Sequence, residues 1–400
     1  MQETFDLPSG ERLTPYSPHN NLIATGCVLL PSSFGEAASK AELLLEIRGY
    51  LRRYVDLSEG FEEIAAHYAL MSWVYDVFSE VPYLRFRGDY GTGKTRALQV
   101  VGSICYKPFF ASGASTVSPI FHVLDVFQGT LVLDEADFRF TDATAALTKI
   151  LNNGNAAGLP VLRTMTNRHK EFDPRAFRVF GPKLVGMRER FEDPALESRF
   201  LTEETGARPL REGIPIQLPS SVARDALSIR NKLLMWRFRE RQRVGVMPGR
   251  IAVGVEPRLN QTALSLLSIV DDEAVVRRIH TELRSEQDRI HRERNGSLEA
   301  AMVGAVWGLV SGRSASPSVA KITASFNDIA ADRLSRPVSS KWVGSFLRTK
   351  LKLTTAKSNG VYVVPASEQP KILALAARYG VVSADMSDAP TTTGDVELST

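Results

Sequence analysis

Apolar positions recur at helical spacing early in the chain. Phe61, Ile64, Ala65, Tyr68, Met71, Tyr75 and Phe78 fall at three- and four-residue intervals, which predicts a helix with one buried stripe. These aromatics read as core and not as a ligand box. Just upstream, Ala38 to Val55 is helix-forming, and Asp56 with Glu59 resembles a capping box opening the second helix. Residues up to about Ala37 are rich in Pro, Ser, Gly and Asn without a sustained period, which predicts an irregular arm with a short strand over Leu22 to Leu30.

The period changes at Pro82. Short apolar runs at Tyr83 to Phe86, Thr130 to Leu133 and Lys183 to Met187 alternate with helical segments as far as about Thr205, the pattern of an α/β layer fold with a mainly parallel sheet. A helical region follows from about Ser220 to Asn295, broken by the Gly and Pro residues between Gly245 and Pro257. SGRSASPS, Ser311 to Ser318, reads as a linker. The expected organisation is an arm and helical N-terminal region (1–81), an α/β core (82–205), a helical lid region (206–311), a small basic domain (312–380) and a disordered tail (381–400). No internal repeat is present.

Composition changes this picture little. The chain has 400 residues, 44% hydrophobic and 24% charged, which suits two or three domains of a soluble protein. No apolar run reaches the ~18 to 20 residues that span a bilayer. The start, MQETFDLPSG, lacks a signal-peptide layout, so a cytoplasmic protein without membrane attachment is expected. Cys27 and Cys105 lack metal-site spacing and are expected to be inert, Cys105 as a buried residue. Charge is unevenly placed: Ser318 to Pro365 holds eight Lys or Arg against two Asp, +6 of a whole-chain net of +4. Basicity therefore concentrates near the C-terminus.

The most specific motif is GDYGTGKT, Gly88, Asp89, Tyr90, Gly91, Thr92, Gly93, Lys94 and Thr95. Glycines in such a loop let backbone N–H groups close around phosphates, Lys94 reaches the β- and γ-phosphates, and Thr95 holds magnesium. The helix that opens at the motif and runs through Arg96 turns its positive end toward the anion. An apolar strand (YLRF) precedes the loop and a helix-forming run follows it, as the mechanism requires. Downstream, TLVLDE is an apolar strand ending in Asp134 and Glu135. Placed beside the phosphate strand, Asp134 would support the magnesium shell and Glu135 would orient or deprotonate the attacking water. The expected ligands are ATP and Mg2+.

Glutamate directly after the metal-binding aspartate resembles the AAA+ ATPases, and two later segments extend the resemblance. DPALESRF, Asp193 to Phe200, is similar to the region where AAA+ rings, minichromosome-maintenance helicases in particular, carry an arginine finger. The resemblance implies that Arg199 reaches the nucleotide of a neighbouring subunit in a homo-oligomeric ring; the alternative is an ordinary surface arginine. EPRLNQTALSLLSI resembles the lid helix bearing a second sensor, which implies that role for Arg258, with Arg224 in reserve. The first-sensor strand reads GPKLVGMRER and departs from the usual polar residue, leaving Lys183 or Arg188 as substitutes. The implied fold is a P-loop AAA+ parallel-sheet core with a helical lid.

Two segments suggest DNA. Val161 to Phe180 reads as two strand-like runs flanking a turn with Arg168, His169 and Lys170. In the resembling helicases a basic hairpin at this place lines a central pore, where cations neutralise phosphates without reading sequence; a solvated charged turn is the alternative. The basic domain reads helix (TASFNDIAADRL), helix (SSKWVGSFLRTKL) and hairpin (LTTAKSNGVYVV), which resembles a winged helix, with Lys341, Arg348, Lys350, Lys352 and Lys357 on those elements. Trp342, Val343, Phe346 and Leu347 are spaced as its buried face. The layout is similar to helicase or primase-helicase ATPases of phages and plasmids. The expected activity is an ATP-dependent DNA motor or replication initiator of a mobile element. The alternatives are a DNA-tethered regulatory or remodelling ATPase without helicase activity and a nucleotide switch that scarcely turns over.

Overall fold

The structure, a computed structural model, describes residues 5–6, 12–13, 16–17, 19–113, 115–134, 142–166, 172–191, 193–312, 316–334 and 336–382. The chain divides into two compact units, residues 1–286 and 287–400.

The first unit is built on five parallel strands: β1 (Tyr83–Arg87), β2 (Phe109–Ser112), β3 (Leu131–Asp134), β4 (Lys183–Met187) and β5 (Phe200–Glu204), in the order β2-β3-β4-β1-β5. The acid-bearing strand β3 is therefore not beside the phosphate strand β1, as the sequence suggests; β4 lies between them. Spacing of motifs along a chain reports which strands carry them, not their order in a sheet.

Both faces of the sheet are covered, which explains the near-continuous apolar runs. Side chains alternate: Leu84, Phe86, Leu184 and Leu201 enter one core with α1 (Lys40–Tyr54), α2 (Glu59–Ser72) and α3 (Lys94–Ser103). Tyr83, Leu133, Val185 and Phe200 enter a second core with α4 (Val117–Phe127) and α5 (Asp142–Asn153). Two further helices, α6 (Ser221–Glu240) and α7 (Pro257–Leu267), join the first core, and α8 (Glu273–Asn295) crosses the division between units.

Several local expectations shift. The capping residue of α2 is Ser58, whose hydroxyl accepts the Phe61 N–H. Asp56 stands too early to cap and pairs with Arg208 at 3.0 Å. The aromatic stripe is buried as expected, but α2 stops at Ser72, and Tyr75 and Phe78 sit in and after a following 3-10 turn. In the arm, Asn20 accepts the Leu22 N–H and starts a helical turn, Asn21–Ala24. That replaces the expected strand, of which one antiparallel bridge, Val28 to Phe109, remains.

The second unit contains α9 (Leu298–Ser311), α10 (Val319–Ile329), α11 (Ser340–Thr349), a hairpin of Ala356–Ser358 with Val361–Val363, and α12 (Gln369–Arg378). Its core includes Met302, Val306, Ile322, Phe326, Val343 and Leu347. Met302 and Val306 lie on α9, so this helix, expected in the lid region, belongs here; the Ser/Gly-rich stretch after it joins two packed helices and marks no domain boundary. Trp342, expected in the core, is 38% exposed and lies against Phe326 and Phe346 at the core's rim. Asn359 and Gly360 both have positive φ, 49° and 81°, the requirement of a two-residue hairpin turn. Among the described residues no helix is long and apolar enough to cross a membrane.

Candidate nucleotide-binding site

The loop Gly88–Gly93 joins the end of β1 to α3. Gly91 and Gly93 have φ of 76° and 93°, which only glycine adopts without strain. Gly93 is the N-cap residue and makes no side-chain cap bond, so no cap side chain takes up the first-turn N–H groups of α3, the donors that a helix N-terminus can offer an anion. Lys94 Nζ donates to the Gly88 and Asp89 carbonyls at 2.7 and 2.6 Å and so folds over the loop.

One side of the loop is held by residues that the sequence reading missed. The Thr205 N–H donates to the Arg87 carbonyl at 2.7 Å, and its hydroxyl lies 2.8 Å from the Thr92 hydroxyl. A Cβ on Gly88 would come within 2.5 Å of the Thr205 carbonyl oxygen, so the first motif glycine is required by this close approach. A threonine just past a strand carries no motif; its position beside β1 follows from the strand order alone. Arg96, expected among the nucleotide contacts, places its guanidinium on the Pro215 and Ile216 carbonyls and ties the segment beyond β5 to α3. Tyr90 projects from the loop, 86% exposed.

The Thr95 hydroxyl donates to Asp134 Oδ2 at 2.6 Å. This contact spans β4, and Gly186 is what lets it pass: a Cβ there would lie 2.9 Å from Asp134 Oδ1 and 2.7 Å from Leu98 Cδ1. A hydroxyl and a carboxylate converging beside phosphate donors are the hard oxygen ligands that magnesium takes. Glu135 lies outside the described residues, as do Arg168, His169 and Lys170.

Arg199 lies at the opposite end of the sheet. Its carbonyl accepts the Tyr83 N–H at the start of β1, and the five residues of that strand put roughly 16 Å between it and its own phosphate loop at ~3.3 Å per residue. The guanidinium donates to Asn152 Oδ1, and Asn152 in turn donates to Asp193 at 2.9 Å. Burial lowers the Arg199 pKa, with the charge of Arg258 acting in the same direction; Arg258 itself stands in the first turn of α7. Gln261, one turn along α7 from Arg258, donates to Glu80 at 2.7 Å. Arg224 is on α6, 3.6 Å from Asp225.

The turn that presents Arg199 is pinned by a buried ion pair. Arg85, in the middle of β1 and fully buried, meets Glu197 through two bonds of 2.6 and 2.8 Å, and Glu197 also accepts the Phe191 N–H at 2.7 Å. Of the two substitutes for a first sensor, Lys183 is excluded by position. It opens β4 at the far end, is fully buried, and its ammonium bonds the carbonyls of Gly154, Val179 and Gly181. Arg188 leaves the other end of β4, with its guanidinium carbon 5.7 Å from the Tyr90 ring centre.

The hairpin of Val161–Thr166 with Phe172–Phe177 forms over six residue pairs, anchored by buried Phe177 and by Arg163 over Phe121 at 4.0 Å, with Leu162 and Phe172 outward at 71% and 84% exposure. In the second unit Lys341, Lys350, Lys352 and Lys357 are exposed, and Arg348, also exposed, donates to the Thr355 hydroxyl at 3.0 Å. Among the described residues no group of three His, Cys, Asp or Glu could hold a metal. Both cysteines are free; burial pushes the Cys105 thiol up to about 12 and raises Cys27 also, so both stay protonated.

No protein-family model matches the chain, and no curated protein matches it. Among solved structures it is similar to the NrS-1 C-terminal region, 12% identical with TM-score 0.40 over 91% of this chain and 82% of that one. A JCV helicase structure is 15% identical with TM-score 0.26, over 64% and 62%. The ORC1 protein of Aeropyrum pernix in complex with DNA is 13% identical with TM-score 0.23, over 80% and 93%.

Proposed function

We propose that the chain is an ATPase of the AAA+ type that couples ATP hydrolysis to DNA, as a motor or replication initiator of a mobile element working as a homo-oligomeric ring. The observation that carries the ATPase reading is the junction of phosphate loop and acid strand, where Lys94 closes the loop and Thr95 meets Asp134 at 2.6 Å through the space left by Gly186. Magnesium, when bound, neutralises phosphate charge there. The chain's residues do the rest: loop N–H groups and Lys94 orient the phosphates, Thr95 and Asp134 hold the metal, and Glu135 directs the attacking water. Arg199 is supplied to a neighbouring chain's site, because its own loop is beyond its reach, and Arg258 at the same end joins it.

The DNA reading is supported by charge and shape. The second unit has the helix, helix and hairpin order of a winged helix, with Lys341 and Arg348 on the second helix and Lys357 on the hairpin. Arg168, His169 and Lys170, which lie in the sequence between the paired strands Val161–Thr166 and Phe172–Phe177, are the expected pore contact. The same second unit also favours the runner-up, a regulator tethered to duplex DNA. A strand-displacement assay on forked DNA with ATP separates them: a motor unwinds, a tether binds without unwinding, and Lys94→Ala abolishes the first activity only.

A further inference from the structure

The phosphate loop leads into α3, and the far end of that helix meets a buried arginine. Ser103 is the last residue of α3, and its carbonyl, which has no partner within the helix, accepts a bond from Arg230 Nη1 of α6 at 2.7 Å. Arg230 is 6% exposed, and among the described residues no carboxylate pairs with it and its Nε has no partner. Buried Arg85, by contrast, is matched by Glu197. Burial lowers the Arg230 pKa to about 10, so the guanidinium stays charged at neutral pH. The other contact at this helix end is neutral: the Tyr50 hydroxyl of α1 lies 2.9 Å from the Ser103 hydroxyl.

A buried charge without a counter-ion is costly, and a neutral donor would serve one carbonyl as well. What a cation adds acts along the helix. It complements the negative end of the α3 dipole, and it places positive charge behind the phosphates. The ten residues of α3 span ~15 Å, which with a hydrogen-bond contact at each end sets the guanidinium roughly 20 Å from a bound polyphosphate. At an effective dielectric constant of about 20, that separation is worth about fourfold in affinity per unit of ligand charge. We propose that Arg230 is a positioning residue of the nucleotide site, whose buried charge holds α3 by its C-terminal end and draws anionic ligands to its N-terminal end. The assignment rests on the nucleotide reading above.

The test is equilibrium binding of Mg-ADP and of a non-hydrolysable Mg-ATP analogue to the full chain, for wild type, Arg230→Gln, Arg230→Met and Tyr50→Phe. Gln keeps a donor for the Ser103 carbonyl and loses the charge, whereas Met loses both. Mg-ADP carries about one net negative charge and the analogue about two, so both Arg230 variants should weaken Mg-ADP about fourfold and the analogue about 16-fold. Tyr50→Phe removes the neutral contact at the same helix end and should leave the ratio of the two affinities unchanged. A merely structural role would weaken both ligands by one factor or spare Arg230→Gln. Either of those results, no loss in either Arg230 variant, or the same fall in ratio in Tyr50→Phe would overturn the assignment. Wild type that binds neither nucleotide would instead overturn the site reading beneath it. Replacing an uncompensated buried charge by a neutral side chain is often tolerated, so the variants should fold, and Arg230→Gln alone decides between charge and hydrogen bond if Met packs badly.

Discussion

Gly186→Ala adds one methyl at the narrowest point of the site. The new carbon would lie 2.7 Å from Leu98 Cδ1 and 2.9 Å from Asp134 Oδ1, both closer than a carbon tolerates. Leu98 is 2% exposed and can yield only by disturbing α3, while Asp134 can yield only by leaving Thr95. Overpacking of this kind costs about 1–3 kcal/mol, and the Thr95–Asp134 contact is the part able to move. Loss of activity should therefore exceed loss of stability. Chemical denaturation should show the 1–3 kcal/mol, and ATP turnover should fall at least tenfold with a raised magnesium requirement. Gly49→Ala is the control, in the exposed middle of α1 with no atom near the added carbon, and should gain roughly 0.5–1 kcal/mol with unchanged turnover. Gly186→Ala with wild-type magnesium dependence would refute the claim that Gly186 lets Asp134 meet Thr95.

Glu197→Ala leaves Arg85 buried without its partner, so the first unit should lose about 3–5 kcal/mol in denaturant titration, and loss under 1 kcal/mol would contradict the buried pair. Burial raises the Glu203 pKa although Ser58 donates to its carboxylate. Its contribution is therefore complete below the ordinary glutamate value of ~4.3 and lost as pH rises through the higher folded value. The stability of wild type relative to Glu203→Gln should accordingly fall with rising pH in that window, and a rise would reverse the sign argued here. Replacing Lys341, Arg348 and Lys357 together by Gln should weaken duplex binding and lower the slope of log K against log salt by about 2.7 if each meets one phosphate; an unchanged slope would remove the second unit as a DNA contact.

The phosphate loop and the end of β3 were legible in the sequence because backbone conformation and charge dictate their residue types locally: positive φ needs glycine, and an anion needs N–H groups and lysine. The partners that complete them were not. Thr205 and Gly186 matter through neighbours brought by strand order, and order is set by packing, which leaves no pattern within a single strand. The same holds for Lys183, whose place in the chain suited a phosphate contact but whose place in β4 is the wrong end. Trp342 had core spacing on its helix, yet the stripe is wider than the core it meets, and the edge residue remains partly exposed. A short motif points to Arg199, whereas the ion pair of Arg85 with Glu197 that holds its turn joins two charges in apolar surroundings and has no periodic signature.

The loop closed by Lys94 is proposed to hydrolyse ATP in the service of DNA. Steady-state ATP hydrolysis, measured with and without single- and double-stranded DNA for the wild type and Lys94→Ala, tests it most directly. DNA should stimulate the wild type severalfold, and Lys94→Ala should show neither basal nor stimulated turnover. Hydrolysis that is indifferent to both forms of DNA, or that survives in Lys94→Ala, would contradict it.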